Sequence, residues 1–243
     1  MNVYQKIVNN TSSGKKQLSI LIDPDKSTAA CVKKTAELAN EAGVDFFFIG
    51  GSLITSDNMS KCILALKEYS GIPVVIFPGS VMQVNGHADA ILFLSLISGR
   101  NAEMLIGKHV VAAPYIRGAS LEVIPTGYML IESGSPTAAS YMSHSLPIPH
   151  DKDDIAMCTA MAGEMLGLKM VYLDAGSGAG THVSTAMTEK VKNAVSVPLV
   201  VGGGVDTAEK AKELYKAGAD MIVAGNAVEK NQAVIGRLAD ARF

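Results

Sequence analysis

The chain has no CxxC pair, no apolar run of the roughly 18 residues that would span a bilayer, and no excess of either charge. Each absence removes a class of function. Three cysteines, Cys31, Cys62 and Cys158, lie scattered and odd in number, so neither a zinc framework nor a disulfide scaffold is written here. They read as thiols of a reducing compartment. The opening stretch MNVYQKIVNN lacks the apolar centre of a signal peptide, and a cytoplasmic protein is expected. A formal charge of -2 offers no global attraction for nucleic acid or an anionic membrane. No GxGxxG follows the first apolar run and no P-loop signature occurs, which speaks against dinucleotide and P-loop enzymes. The histidines, His87, His109, His144, His150 and His182, lack HExxH spacing, and His144 and His150 fall in the Pro-containing stretch SHSLPIPHD with no assigned role.

What is present is a succession of short apolar, β-branched runs. They lie at 17–23, 44–50, 73–77, 90–96, 128–132, 169–174, 197–202 and 219–225. Near-continuous apolar runs suit parallel strands buried on both faces. Helical spacing fills most of the intervals, at 28–42, 57–69, 101–107, 152–167, 184–194, 206–217 and 227–241. Alternation of this kind predicts an α/β (β/α)8 TIM-type barrel, with a doubly wound open sheet as the competing architecture. The length fits one large α/β domain or two small ones, and alternation recurring along the whole chain favours a single domain over 1–243. One interval breaks the pattern. PGSVMQVNGHAD, between Phe77 and Ala90, is too short and too interrupted for a crossover helix, so the third helix is expected to be replaced by a loop. Its loss would leave barrel strands uncovered on one side, where Val81, Met82 and Val84 could line an apolar groove. Ala42-Gly43-Val44-Asp45 and Ala217-Gly218-Ala219-Asp220 each lead through an apolar run to a glycine, an echo that suits repeated βα modules or a common αβ turn.

The strand exits carry the chemistry, since the C-terminal ends of barrel strands line the active site of this architecture. Glycines crowd three late exits: Gly176 to Gly180, Gly202-Gly203-Gly204, and Gly225-Asn226. Without a Cβ, their peptide N–H groups can approach an anion closely, and loops after strands seven and eight are the usual phosphate site of the fold. Tight βα turns alone would also use glycine. In YLDAGSGAG, Tyr172 and Asp174 are two residues apart and should face the barrel mouth together. Asp174 there can take a proton from an attacking hydroxyl, or cap the following loop. At the first exit, 23-DPDKST-28 offers Asp23 and Asp25 to a hard cation such as Mg²⁺, while Ser27 or Thr28 offers an ordinary helix cap. Ser52, in 50-GGS-52 of the adjacent strand, is placed to share an ion with Asp23.

Taken in order, DPD, GGS, PGS (78–80), YLDAGSG, GGG and GN resemble the geranylgeranylglyceryl phosphate synthase family over nearly the whole chain. The resemblance implies a modified barrel lacking its third helix, which joins a geranylgeranyl or similar polyprenyl diphosphate to the C3 hydroxyl of sn-glycerol 1-phosphate. It implies Mg²⁺ on Asp23 and Ser52, and catalysis by Asp174 and Tyr172. It places glycerol phosphate against Tyr172, Leu173, Asp174, Ala175, Gly176, Ser177 and Gly178, with Gly203, Gly204, Gly225 and Asn226 closing on its phosphate. Two departures stand out. Asp174 occupies a position where many members carry glutamate, and Leu21 one where several archaeal members carry lysine. No nucleic acid is implied, the bilayer would be touched only transiently, and a homo-oligomer is expected. Two other readings share the barrel: a phosphosugar isomerase or synthase, and a non-catalytic phospholigand-binding protein.

Overall fold

The apolar runs pair in chain order into a closed parallel barrel, β1 to β8, in a computed structural model that describes residues 2–242. The strands are β1 (Gln17–Ile22), β2 (Phe46–Ile49), β3 (Val74–Ile76), β4 (Ala90–Leu96), β5 (Glu122–Leu130), β6 (Met170–Asp174), β7 (Leu199–Gly202) and β8 (Met221–Ala224). The barrel closes where Ser19 of β1 pairs with Val223 of β8. The open-sheet alternative is thereby excluded. Side chains alternate along each strand, as the pleat requires. Phe46, Phe48, Tyr128 and Tyr172 point into the barrel, while Leu18, Ile20, Phe47 and Leu173 point outward beneath the helices. Two apolar layers result, which is why the strands read as unbroken hydrophobic runs.

The outer layer is covered by α2 (Ala29–Glu41), α3 (Met59–Tyr69), α4 (Lys108–Gly118), α6 (Asp153–Met165), α7 (Thr185–Ala194), α8 (Ala208–Lys216) and α10 (Val234–Asp240). Between β3 and β4 there is only a 3-10 turn at Val81–Gln83. The third helix is indeed replaced by a loop. Short helices α5 (Ala138–Ser143) and α9 (Asn226–Lys230) follow β5 and β8 at the mouth, so the last helical interval is two helices rather than one. Three further features differ from the sequence reading. Helix α1 (Val3–Ser12) packs Val3 and Ile7 with the residues inside the barrel, and its first backbone amides donate to Glu122 at 2.6 and 2.8 Å. Strand β5 begins at Glu122 rather than 128, because Pro125 and Gly127, which look like breakers, sit within a paired strand. Helical structure after β4 continues past Gly107 to Gly118, with Pro114 inside α4 and apolar Val110, Val111 and Tyr115 exposed. That exposed apolar face hides the periodicity on which a helix assignment depends.

The Ala-Gly-x-Asp echo has a physical meaning at the bottom of the barrel. Asp45 accepts from the Leu18 amide at 3.1 Å and Asp220 from the Leu199 amide at 2.8 Å, each closing the start of the preceding strand. Each is neutralised by bases, Asp45 by Lys15 and Arg242 at 2.9 Å and Asp220 by Lys192 at 2.7 Å. Asp89 repeats the device without the glycine, accepting from Val74 at 2.8 Å and from Lys67 at 2.7 Å. All three cysteines are free thiols. Among the described residues no helix is long and apolar enough to cross a membrane.

Candidate active site

A cavity of about 780 Å³ opens at the C-terminal ends of the strands. Asp23, Ser52, Tyr172 and Asp174 line it together with Gly176, Ser177, Gly178, Gly203, Gly204, Gly225 and Asn226. The structure thus brings together nearly every residue singled out in the sequence. Leu173 and Ala175 do not line it; their side chains are buried in the outer layer.

Asp174 ends β6 almost fully buried. Its Oδ1 accepts from the Gly176 amide at 2.7 Å and its Oδ2 from the Tyr128 hydroxyl at 2.6 Å. The residue therefore caps its own loop and also faces the cavity. Burial raises the Asp174 pKa above the ordinary carboxylate value, and the two donated hydrogen bonds oppose that rise. These donors let the carboxyl ionise more readily than burial alone allows, while burial leaves it more proton affinity than an exposed aspartate. Tyr172 is 1% exposed, and burial drives its phenol well above the usual tyrosine range. It stays protonated, so the phenol can offer a hydrogen bond to a ligand and does not act as a phenolate. Its ring stacks on Phe77 at 5.3 Å and meets Tyr128 edge-on at 5.6 Å. Gly202 makes room for it, since a Cβ there would stand 2.4 Å from the phenol oxygen.

The glycine turns interlock backbone against backbone. Gly203 has φ +79°, and a Cβ on it would lie 2.5 Å from the Gly176 nitrogen. No side chain is compatible with that contact. Ser177 Oγ donates to Asn226 Oδ1 at 2.8 Å, tying the sixth exit to the eighth. The three late exits thus form one continuous concave rim of main chain.

Across the mouth, the DPDKST stretch divides its tasks. Thr28 caps α2 by accepting from the Cys31 amide at 3.2 Å. Asp25 turns away to the β2–α3 loop, where the amides and hydroxyls of Thr55 and Ser56 hold its pKa down to about 2. Asp23 remains on the cavity, with Lys26 at 3.0 Å, and Lys26 also reaches Glu229 at 3.5 Å. Ser52 lies on the neighbouring exit, whose backbone is fixed by Gln83. The Gln83 amide nitrogen donates to the Gly51 carbonyl at 2.7 Å, and its oxygen accepts from Gly79 at 3.1 Å. A Cβ on Gly79 would stand 2.2 Å from the Gly51 oxygen, so these two loops also touch main chain to main chain. Among the described residues no cluster of three or more His, Cys, Asp or Glu could hold a metal by itself.

The rest of the cavity is apolar. Val81, Met82 and Val84 line it as anticipated, with Phe77, Ile91 and Phe93, over the β4 face left bare by the missing helix. Tyr128, Phe77 and Gln83 are site residues that the sequence reading passed over. Tyr128 pairs in register with Tyr172, and a strand drawn back to Glu122 would have put it on the inward face. His144 and His150 lie outside the cavity lining.

A family model described as the PcrB family matches residues 12–241. The chain belongs to that family. Relatives named geranylgeranylglyceryl phosphate synthase include one from Chitinophaga pinensis, 51% identical with 98% of this chain and 95% of the relative covered. Another, from Pyrococcus abyssi, is 39% identical over 91% of this chain and 88% of its own length. A similar barrel has been solved as (S)-3-O-geranylgeranylglyceryl phosphate synthase from Thermoplasma acidophilum in complex with substrate sn-glycerol-1-phosphate. It superposes with a TM-score of 0.93 at 33% identity, covering 99% of this chain and 98% of that one. An N-acetylmannosamine-6-phosphate 2-epimerase from Clostridium perfringens shares only the fold, with a TM-score of 0.59 at 13% identity.

Proposed function

We propose that this protein transfers a geranylgeranyl or similar polyprenyl group from its diphosphate to the C3 hydroxyl of sn-glycerol 1-phosphate, releasing diphosphate and forming an ether-lipid precursor. One observation carries the reading: the buried Asp174 carboxylate sits where a glycine rim suited to a small phosphate meets an apolar groove suited to a hydrocarbon chain. In the reaction the C3 oxygen bonds to the allylic carbon, and the bond from that carbon to the diphosphate oxygen breaks. The hydroxyl proton passes to the Asp174 carboxylate. Tyr128 holds that carboxylate in place through its 2.6 Å hydrogen bond. The faces of Phe77, Tyr128 and Tyr172, grouped within 5.6 Å centroid spacings, suit positive charge developing on the allylic carbon. Orienting two substrates in one enclosed chamber supplies much of the rate gain.

Asp23 and Ser52 offer hard oxygen donors, which fit Mg²⁺ with water and substrate phosphates completing its shell. When bound there, Mg²⁺ would neutralise charge on the departing diphosphate. Lys26 already balances Asp23 and would share that carboxylate with the ion. The reading also places the enzyme in the cytoplasm, in line with its free thiols, with transient contact at the bilayer to exchange apolar substrates. The exposed Val110, Val111 and Tyr115 of α4 support a homo-oligomer.

The test is incubation with Mg²⁺, sn-glycerol 1-phosphate and radiolabelled prenyl diphosphates. A lipid-extractable labelled product supports the transferase. Binding of glycerol phosphate without product would replace it with a phospholigand-binding barrel.

A further inference from the structure

We propose that Lys26 is an exchangeable counter-charge that leaves Asp23 when a metal-bound diphosphate arrives, and that Glu229 sets how readily it leaves. This rests on the prenyl-transfer reading. The Lys26 ammonium lies 3.0 Å from Asp23 Oδ2 and 3.5 Å from Glu229 Oε2, and all three side chains line the main cavity. One cation thus stands between two carboxylates, at the exit that offers Asp23 to a metal.

The frame around Lys26 is pinned, and its own stem is free to move. Its amide donates to the Asp23 carbonyl at 3.2 Å, closing the turn. Asp23 Oδ1 accepts from the Asp25 amide at 3.0 Å, while the Asp25 carboxylate is tied to the β2–α3 loop. Glu229 sits on α9, and the chain just beyond is moored to α2. There the Gln232 amide nitrogen donates to the Cys31 carbonyl at 2.8 Å and to Thr35 Oγ1 at 2.6 Å. The Lys26 side chain, by contrast, is 51% exposed on a flexible four-carbon stem. Ion pairs this exposed contribute little, so a change of partner costs little. An ion that shares the Asp23 carboxylate repels the ammonium, and a diphosphate offers it a more negative partner in the same cavity. Lys26 then turns from carboxylate to diphosphate, where its hydrogen bonds are charge-assisted. Glu229 gives the ammonium a second anchor. It loosens Lys26 from Asp23, which favours the metal, and it competes with the diphosphate for Lys26.

The experiment measures two dissociation constants on the full chain without turnover. Mn²⁺, a paramagnetic stand-in for Mg²⁺, is followed by electron paramagnetic resonance, and inorganic diphosphate, as its magnesium complex, by calorimetry. The proteins are the unsubstituted enzyme, Lys26→Met, Glu229→Gln and the two substitutions combined. Lys26→Met should tighten Mn²⁺ about fivefold and weaken diphosphate about tenfold. Glu229→Gln should weaken Mn²⁺ and tighten diphosphate, each by about threefold. Once Lys26 is methionine, Glu229→Gln should change neither constant further, because its effect travels through the ammonium. Effects that simply add in the combined variant would show two independent charges and overturn the proposal, as would Lys26→Met with unchanged diphosphate affinity. Prenyl transfer is read separately by the radiolabel assay, so either result in an enzyme that makes product strikes the exchange alone. No product from the unsubstituted enzyme with any donor would instead remove the transfer reading, and this inference with it.

Discussion

Replacing Tyr128 with phenylalanine removes one oxygen and tests the Asp174 environment from two directions. The lost group is a hydroxyl donating at 2.6 Å to a carboxylate buried among aromatic rings. A hydrogen bond to a charged group contributes about 1.5–3 kcal/mol, against about 0.5–1.5 for a neutral pair. In a protein of this size each kcal/mol moves the melting temperature by about 2–4 °C, so Tyr128→Phe should lower it by roughly 3–12 °C where Asp174 is ionised. The pH dependence has a definite sign. Burial raises the folded-state Asp174 pKa above its unfolded value, so its stabilising contribution is full at low pH and is lost as pH rises through the folded pKa. The Tyr128 donor limits that loss, because it favours the ionised form. Tyr128→Phe should therefore cost more at alkaline pH than at acid pH. Since only ionised Asp174 can accept the substrate proton, the acidic limb of kcat/KM should also move to higher pH. Thermal melts across pH and a pH–rate profile measure both effects. A variant with unchanged melting temperature and unchanged acidic limb would refute the account of Asp174.

Four further substitutions probe the remaining parts of the site. Asp23→Asn should depress turnover and raise the Mg²⁺ needed for half-maximal rate by about tenfold or more, the equivalent of one weakened charged contact; unchanged kinetics would remove Asp23 from the metal role. Gly203→Ala should destabilise by about 2 kcal/mol or more, from the positive φ and the Gly176 contact, and calorimetry should show weakened sn-glycerol 1-phosphate binding; normal affinity in a folded variant would misplace the phosphate rim. Gln83→Leu removes the clamp on Gly51 and Gly79, and should cost about 1–3 kcal/mol in denaturant unfolding. It should weaken prenyl diphosphate more than glycerol phosphate; equal weakening would contradict the division of the mouth. Asp174→Asn should abolish product formation yet melt no lower than the unsubstituted protein at alkaline pH, because a costly buried charge is gone; a much lower melt would show that the charge stabilises the fold.

The barrel was legible because its strands are buried on both faces, which forces the unbroken apolar runs around Phe46 to Ile49 and Met170 to Leu173. The site was legible for a different reason: glycines such as Gly203 cannot be replaced where two turns touch main chain to main chain, so the exits advertise themselves. What stayed hidden were residues whose roles come from long-range packing. Nothing in the neighbourhood of Gln83 says that its amide will bridge the exits of β2 and β3, and nothing around Tyr128 says that it will meet Asp174, 46 residues away. Helix α4 was obscured because its Val110, Val111 and Tyr115 face outward, where periodicity expects polar residues. Asp25 misled in the opposite way. It has the spacing of a metal ligand beside Asp23, but its oxygens are taken by Thr55 and Ser56.

The claim on which all of this depends is that the glycine rim of the sixth, seventh and eighth exits holds the phosphate of glycerol phosphate beside Asp174, with the diphosphate opposite at Asp23. A crystal structure of the protein with sn-glycerol 1-phosphate and a non-reactive prenyl diphosphate analogue in Mg²⁺ measures that directly. The account predicts the phosphate on the amides around Gly203, Gly204 and Asn226, the C3 hydroxyl within hydrogen-bond distance of Asp174, and the tail lying across Phe93. Glycerol phosphate bound elsewhere, or turned with its C3 hydroxyl away from Asp174, would contradict it.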